Sequence, residues 1–360
     1  MVSFRFFTSP WLKQFWHDLG TTPKYLQLQG YRKGVVRLFK ALILHGLAGF
    51  TNELDRVRHA VRYVSGEDLD FIIYAPDFLP NSAGRYCLYK ICHDLNAKGF
   101  KAAVTESLVS CPNLNAPLLT LRDAKQVARR KKPWVIYPET ISGNPLGAER
   151  VIRWVLNRPG LLGGDTVYAD NELVFVYSNI YAPFVKNKIQ GVLYLPTLDE
   201  EIFYPPKNAQ QERGLACYYV GKSSFKEGHF DRATTFEITR DVPTKKELGN
   251  IFRSAKILYC FDNATAVAHE AIACGCPVLV IPDGTQTWEN YAQSELGTHG
   301  IMWGQLDPDV KIDQRLVEAK VSALKANYSA QLEKLLELTQ RSGRPKAEPV
   351  SRPIKAEISL

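Results

Sequence analysis

Two acidic side chains, Asp262 and Glu270, lie eight positions apart in a stretch of mostly small residues. The apolar run that ends at Cys260 predicts a strand, and the next helix is expected to begin near Thr265. Backbone N–H groups at a helix start, with the positive end of the helix dipole, suit a diphosphate. Glu270 is expected less than two turns into this helix, where a carboxylate can accept two hydrogen bonds from a ribose diol. The residues predicted to hold the diphosphate are Asn263, Ala264 and Thr265.

The residues from Glu270 to Val278 read EAIACGCPV. This run resembles the nucleotide-sugar-binding motif of GT-B glycosyltransferases, in which two acids lie eight positions apart and the second precedes an Ala-x-Ala-Cys-Gly-x-Pro-Val run. The resemblance implies that Glu270 holds the ribose of a nucleotide-sugar donor. It also implies that Asp262 is a catalytic residue near the transferred sugar. Aspartate stands here where the family has glutamate, so this carboxylate reaches one methylene less far.

Two loops in the second half of the chain are similar to donor-binding loops of the same family. The loop that follows residues 215–220 resembles one that places a cation against the donor diphosphate, which implies this role for Lys222 and Lys226. Two positive charges there would offset the charge of the leaving nucleoside diphosphate without a metal. Asp283 and Gly284 leave a later strand on the same side of the sheet, where they are candidates for contacts with the donor base or sugar.

The first half of the chain supplies two further candidates. Residues 80–85 resemble the glycine-containing loop that faces the donor in the family, which implies that Gly84 lies near the donor. Glu139 follows a predicted strand, at a carboxyl end where parallel sheets bind their ligands, and it is a catalytic candidate. The run from Tyr137 to Gly160 also resembles bacterial polysaccharide and lipopolysaccharide-type glycosyltransferases, the group 1-like kind.

Two histidines are candidate general bases. His269 is adjacent to Glu270 on a helix expected to face the site, and His93 belongs to the first half of the chain. The alternative for each is a packed or hydrogen-bonded structural role. The catalytic candidates are Asp262, His269 and Glu139.

Strands and helices that alternate along the chain predict the elements that position these residues. Residues 71–75, a helical pattern over 86–95 and a strand from 102 form the first such unit. Units of this kind build parallel sheets whose ligands bind at the carboxyl ends of the strands. A helix is also predicted at 148–156. Further strands are predicted at 134–137, 173–177, 191–195, 215–220, 235–238, 255–260 and 278–281, and further helices at 244–254, 265–273 and 313–339.

The predicted fold class is α/β of the GT-B type, with two Rossmann-like domains facing a cleft, a helical N-terminal lead-in and a long C-terminal helix. A chain of 360 residues is long enough for two such domains. The predicted divisions are a basic lead-in at 1–69, an acceptor domain at 70–190, a donor domain at 191–305, a helix at 306–341 and a disordered tail at 342–360.

The formal net charge of +8 favours an anionic partner. A phosphorylated donor and an anionic membrane surface are the candidates, and no nucleic acid is expected because no motif that reads nucleic acid is present. The basic, apolar pattern at 32–44 is typical of a helix on an anionic membrane or of one packed on the first domain. Seven scattered cysteines indicate reduced, mostly buried thiols. The predicted location is the cytoplasm, with the inner face of the membrane as a peripheral site.

The residues and the resemblance together predict a glycosyltransferase, hexosyltransferase-like, which moves a sugar from a nucleoside-diphosphate sugar to a hydroxyl of a glycan or glycolipid. Polysaccharide biosynthesis is the expected setting, and no metal or other cofactor is expected. A sugar-nucleotide epimerase of the same fold is the alternative. A non-catalytic basic protein that binds nucleic acid or membrane is a further one.

Overall fold

The computed structural model describes residues 68–207, 213–239 and 244–341. The predicted lead-in at 1–69, apart from its last two residues, lies outside these ranges, and so does its amphipathic segment at 32–44. The predicted tail at 342–360 also lies outside them. Within the described ranges, no helix has the length and apolar character needed to cross a membrane.

Six strands form the first sheet, in an order that departs from their order along the chain. They are β1 (Phe71–Tyr74), β2 (Ala102–Thr105), β3 (Trp134–Pro138), β4 (Arg150–Val155), β5 (Leu173–Val176) and β6 (Ile189–Val192). The strand order is β2-β1-β3-β4-β5-β6. The pairs β2–β1, β1–β3, β4–β5 and β5–β6 are parallel. Helix α1 (Ala83–Ala97) connects β1 to β2, and helix α2 (Leu121–Lys131) connects β2 to β3.

Strand β4 occupies the residues for which the sequence predicts a helix at 148–156, so that prediction is wrong. All residues from Val151 to Val155 are buried, including the charged Arg153, so the segment has no side that faces solvent. A surface helix keeps one such side. The segment contains three β-branched residues and Trp154, which fit a pleated strand better than a helix. It therefore lies between β3 and β5 in the strand order.

Five strands form the second sheet, with the order β11-β10-β9-β7-β8 and parallel pairing throughout. They are β7 (Leu215–Tyr219), β8 (Phe236–Ile238), β9 (Ala255–Cys260), β10 (Val278–Val280) and β11 (Ile301–Trp303). The helices of this part are α3 (Lys245–Ser254), α4 (Ala266–Ala273), the short α5 (Trp288–Tyr291) and the long α6 (Gln314–Arg341).

The predicted α/β class is confirmed by the two parallel sheets, and the predicted long C-terminal helix is α6. The strand predicted at 255–260 has the predicted bounds. The strand predicted at 191–195 begins two residues earlier and ends three residues earlier, at Ile189–Val192. Helix α2 and strand β11 were not predicted.

The chain divides into two compact units. The first comprises Leu88–Ile136, Asn144–Arg150 and the described part of Met1–Phe78. The second comprises Leu79–Cys87, Tyr137–Gly143 and the described part of Val151–Leu360. The predicted domain divisions at 70–190 and 191–305 stay a prediction.

All seven cysteines are buried and free, which confirms the predicted buried thiols. Four of them belong to the core of the second sheet, where they pack among apolar side chains: Cys217, Cys260, Cys274 and Cys276. Within the described ranges, no three side chains of the types His, Cys, Asp and Glu converge to hold a metal ion.

Gly164 fixes the course of the loop that precedes β5. It has a φ of +79°, and a Cβ added to it would lie 1.9 Å from the backbone carbonyl oxygen of Glu139. Its neighbour Gly163 has a φ of +95°, but a Cβ added there would meet nothing within 4 Å. The two glycines therefore differ in close packing while sharing a left-handed backbone.

The variant Gly164→Ala is expected to lower the free energy of unfolding by about 3 kcal/mol or more, since a backbone clash adds to the strain of alanine at positive φ. The matched control Gly163→Ala should lose only about 1–2 kcal/mol from the strain alone. Urea unfolding of both variants measures the difference. Equal losses in the two variants would contradict the close approach of Gly164 to Glu139.

Candidate functional site

The second sheet has a point where the chain reverses its direction across the strands. From β7 the chain passes to β8 on one side, and then it returns to β9 on the other side of β7. Open parallel sheets bind ligands at such a point, outside the carboxyl ends of the two strands. The loop after β7 carries Lys222 and Lys226, and the loop after β9 carries Asp262, Asn263 and Ala264. The strand order thus brings these five predicted residues to one end of the sheet.

Asp262 ties the two loops together. Its Oδ2 lies 2.9 Å from the Lys222 ammonium and accepts the backbone N–H of the same lysine at 3.2 Å. Its Oδ1 accepts the backbone N–H of Ala264 at 3.2 Å. The contact requires Gly221, whose φ is +61° and whose added Cβ would lie 2.5 Å from the Asp262 Oδ2. Both carboxylate oxygens of Asp262 are therefore hydrogen-bonded within the protein. One of their partners is the ammonium of Lys222, which the sequence analysis predicts to contact the donor diphosphate.

Helix α4 begins as predicted, with Thr265 as its N-cap. The Thr265 hydroxyl accepts the backbone N–H of Val267 at 3.3 Å. The carbonyl of Ala264 accepts a hydrogen bond from the Lys222 ammonium at 3.3 Å. Since the N–H groups of Ala264 and Val267 are engaged, an anion at this helix start has to use the others or displace Asp262.

Asn263 joins the loop after β9 to the loop after β10. Its Nδ2 donates to Asp283 Oδ1 at 2.7 Å, and the same oxygen accepts the N–H of Thr285 at 2.8 Å. Asn263 is 5% exposed, and its Oδ1 has no hydrogen-bond partner among the described residues. A buried acceptor without a donor costs about 1–3 kcal/mol, so this oxygen suits a hydroxyl or N–H of a ligand. Gly284, at φ +83° with open space around it, completes the turn.

Lys226 links the loop after β7 to the loop after β10. Its ammonium donates to the backbone carbonyl of Pro282 at 2.6 Å. Lys222 and Lys226 thus serve different contacts, the first to Asp262 and the second to a neighbouring loop. The three loops that follow β7, β9 and β10 are hydrogen-bonded to one another at the carboxyl end of the sheet.

Glu270 is buried on α4, and its carboxylate lies 3.7 Å from the ammonium of Lys245. Burial raises the pKa of Glu270, while the charge and hydrogen bond of Lys245 lower it, and the charge of Asp199 raises it. The sequence did not single out Lys245. The sequence feature that could have pointed to Lys245 is its place in the first turn of α3. A cation there interacts unfavourably with the helix dipole, so another interaction has to account for it.

The two histidines have different surroundings. Burial lowers the pKa of His269 to about 4, so its imidazole is neutral at pH 7 and weakly basic. The Nδ1 of His93 accepts the backbone N–H of Asn115 at 2.9 Å, which is the hydrogen-bonded structural role that the sequence left open for it. A base with a pKa near 4 is far from the optimum for proton transfer at neutral pH.

Glu139 follows β3 and is almost fully buried. Its Oε2 accepts the backbone N–H of Leu156 at 2.9 Å. Burial raises the pKa of Glu139 to about 7. Backbone N–H donors, including those of Leu156 and Asn157, and the charge of Lys222 lower this pKa but only partly offset the effect of burial. The buried hydroxyl of Tyr181 has its pKa raised by burial and by the charges of both Asp262 and Glu139. The pKa of Glu139 near neutrality is the property expected of an acid–base catalyst.

Arg153 holds the loop that carries Glu139. The guanidinium is fully buried and donates to both carboxylate oxygens of Glu172, at 2.9 and 3.2 Å. It also donates to the backbone carbonyls of Ile141 at 2.7 Å and Gly143 at 2.9 Å. A bidentate pair with additional carbonyl acceptors satisfies the buried charge and fixes the loop. Sequence reasoning did not identify this role for Arg153.

Gly84 lies in the first turn of α1 rather than in a loop, so that part of its prediction is wrong. Ser82 precedes the helix, and its hydroxyl accepts the backbone N–H of Arg85 at 3.4 Å while its carbonyl accepts that of Tyr86 at 2.9 Å. Serine at a helix start favours this geometry, because its oxygen satisfies an N–H that the helix leaves open. The predicted proximity of Gly84 to a donor stays a prediction.

The chain matches no known protein-family model, and no curated protein matches it. Solved structures do resemble it, and three of them are glycosyltransferases. The glycotransferase of kitacinnamycin is 11% identical with a TM-score of 0.41, over 75% of this chain and 98% of that one. The glycosyltransferase SnogD from Streptomyces nogalater is 14% identical with a TM-score of 0.38, and the match covers 75% of this chain and 99% of that one. The glycosyltransferase VinC, in complex with DTDP, is 14% identical with a TM-score of 0.37, and the match covers 75% of this chain and 99% of that one. Similarity at this level assigns no activity to this chain.

The stability of the protein is expected to depend on the ionisation of Glu139. Its pKa is about 7 in the fold against an ordinary value of 4.5. Between these pH values the folded protein keeps a proton that the unfolded chain has lost, so the free energy of unfolding falls as the pH rises through the window. Glu139→Gln removes the ionisation. Its stability relative to the wild type should therefore increase from pH 4.5 to 7 by on the order of 3 kcal/mol.

Urea unfolding at a series of pH values measures this difference. The control is Glu318→Gln, which changes an exposed glutamate on α6 and should follow the wild-type pH profile. Parallel profiles for Glu139→Gln and the wild type would show that Glu139 ionises normally in the fold.

Proposed function

We propose that this protein transfers a sugar, of hexose type, from a nucleoside-diphosphate sugar to a hydroxyl of a glycan or glycolipid acceptor. The observation that carries the proposal is the placement of Glu270. It is a buried carboxylate paired with Lys245, on the helix that begins where the strand order of the second sheet reverses. A carboxylate in this position suits a ribose diol, and the helix start suits the adjoining diphosphate.

The proposed diphosphate site combines the start of α4 with Lys222 and Lys226. When the bond between the sugar and the diphosphate breaks, negative charge develops on the leaving phosphate oxygen. Cations and N–H groups that are already fixed around this oxygen stabilise the charge. A bound diphosphate competes with Asp262 for Lys222, whose ammonium lies 2.9 Å from that carboxylate. Because two lysines and a helix dipole supply the positive charge, the proposed mechanism uses no metal.

The proposed site for the donor sugar or base lies at the loop after β10. Asn263 offers its Oδ1, which has no hydrogen-bond partner among the described residues, to a hydroxyl or N–H of the donor. Asp283 holds this amide by accepting from its Nδ2 at 2.7 Å. Gly284 leaves space beside them, since a Cβ added there would meet nothing within 4 Å. Asp262 remains a proposed catalytic residue near the transferred sugar. Its bonds to Lys222 and Ala264 also hold together the loop that carries the lysines and the loop that leads into α4.

Glu139 is the proposed base. Its pKa near 7 gives it both protonation states at neutral pH, whereas His269, with a pKa of about 4, is a weak base there. In the proposed step the Glu139 carboxylate takes the proton of the acceptor hydroxyl. The acceptor oxygen then bonds to the anomeric carbon, while the bond from that carbon to the diphosphate oxygen breaks and its electron pair leaves with the nucleotide.

The proposed setting is polysaccharide assembly, with the protein in the cytoplasm and in peripheral contact with the inner face of the membrane. The net charge of +8 favours an anionic lipid surface. A glycolipid acceptor would be presented at that same surface.

Nucleotide binding tests the role of Glu270. Calorimetric titration with UDP, GDP, ADP and dTDP should show that the wild type binds at least one of them. Glu270→Gln should weaken that affinity by about 10- to 100-fold, because an amide replaces a charged acceptor of two ribose hydroxyls. Glu318→Gln, at an exposed position, should bind as the wild type does. Absence of nucleotide binding by the wild type would refute the proposed function, and wild-type affinity in Glu270→Gln would remove Glu270 from the site.

Turnover tests the role of Glu139. With a panel of nucleotide sugars, the wild type should release nucleoside diphosphate faster when a hydroxyl acceptor is added, with a rate that rises through an apparent pKa near 7. Glu139→Gln should lower the transfer rate by about 100-fold or more while nucleotide affinity is kept. An unchanged rate in this variant would exclude Glu139 as the base. Donor incubated alone distinguishes the alternative, because an epimerase yields a changed nucleotide sugar without an acceptor.

A further inference from the structure

Helix α2 has an apolar face turned into the fold and a basic face turned to solvent. Ala124, Val127 and Ala128 are its buried residues. The exposed face carries four cations, which are called the α2 stripe: Arg122, Lys125, Arg129 and Arg130.

The α2 stripe is compact, and its cations form no ion pair with the part of the chain that the structure describes. Arg122, Lys125 and Arg129 follow one another at spacings of three and four residues, so they lie on one side of the helix within about 10 Å along its axis. Arg130 lies beside them. Among the residues that the structure describes, no acidic side chain forms an ion pair with any of the four. The one acid of the helix, Asp123, is in its first turn.

The stability of the helix does not account for the whole stripe. Like charges three or four residues apart destabilise a helix by about 0.2–0.5 kcal/mol a pair, which applies to Arg122 with Lys125 and to Lys125 with Arg129. A cation in the first turn, as at Arg122, also opposes the helix dipole. Only the basic residues of the last turn gain from the dipole. The repulsion along the stripe is relieved when an anionic partner lies against it.

We infer that the α2 stripe docks this protein on an anionic membrane surface through the head groups of its lipids. A Lys or Arg near such a surface contributes about 1 kcal/mol, so four of them suffice for reversible attachment. Because the apolar face of α2 is buried in the protein, the helix rests on the head groups without entering the acyl chains. Helix α2 has no aromatic residue, so it offers nucleic-acid bases no stacking surface. This attachment rests on the membrane setting of the proposed function, and it uses none of the residues proposed for sugar transfer.

Vesicle sedimentation tests the inference, with vesicles of phosphatidylcholine alone and of phosphatidylcholine mixed with phosphatidylglycerol. The test variant replaces all four cations of the α2 stripe by glutamine. The control variant removes the same number of exposed cations from other elements, by Lys246→Gln, Lys256→Gln, Lys311→Gln and Arg315→Gln. Both variants have the same net charge, so any difference between them reports the position of the charges.

The wild type should bind only the phosphatidylglycerol vesicles, and less as salt is added. The test variant should lose about 100-fold or more in partition coefficient, and the control variant only a few-fold. Nucleotide affinity and thermal midpoint should be kept in the test variant, which separates lost docking from lost folding or a lost donor site. Equal losses in both variants, an unchanged test variant, or no binding by the wild type would overturn the inference. A test variant that loses binding to single-stranded RNA but keeps vesicle binding would assign the stripe to nucleic acid instead.

Discussion

The ion pair between Asp262 and Lys222 is the contact on which the carboxyl end of the second sheet depends. It joins the loop after β7 to the loop after β9, and Asp262 adds backbone bonds to both loops. Burying a carboxylate costs free energy unless an opposite charge and hydrogen bonds replace the water it has lost, and Asp262 has the Lys222 ammonium and two backbone N–H donors around it. Gly221 is required because a side chain there would occupy the space of the carboxylate. The helix start at Thr265 and the asparagine before it take their positions from this contact.

Two other buried charges also lie beside an opposite charge. Arg153 is paired with Glu172 and holds the loop that follows β3, and Glu270 lies beside Lys245. Glu139 differs from these residues, since it forms no ion pair among the described residues and relies on backbone N–H donors. Its burial is therefore only partly offset, and its pKa rises to about 7. Glu139 is thus a buried carboxyl group whose charge no ion pair among the described residues offsets, and its pKa lies near neutrality for that reason.

The elements that the sequence predicted correctly are those with a clear local pattern. The run that became β9 is apolar, short and followed by small residues, and its bounds are as predicted. Helix α2 has only three buried apolar residues among many charges, and two of them are alanines, so its low hydrophobicity hides a segment whose buried residues have helical spacing. The segment predicted as a helix at 148–156 forms β4 instead, and the ion pair with Glu172 allows its Arg153 to be buried among apolar neighbours. The resemblance of residues 80–85 to a family loop predicts a loop at Gly84, whereas Ser82 caps a helix that begins before this glycine.

The sequence by itself determined the alternation of strands and helices and the spacing of Asp262 and Glu270, because these depend on the hydrophobic period and on neighbours along the chain. Only the tertiary structure decided which charges meet. Lys222 is 40 residues from Asp262, and Arg153 is 19 residues from Glu172. Strand order alone brings such pairs within bonding distance, and the resulting burial sets the pKa of Glu139. A pKa depends on the distances to charges, donors and solvent in the folded chain, and no local pattern encodes these distances.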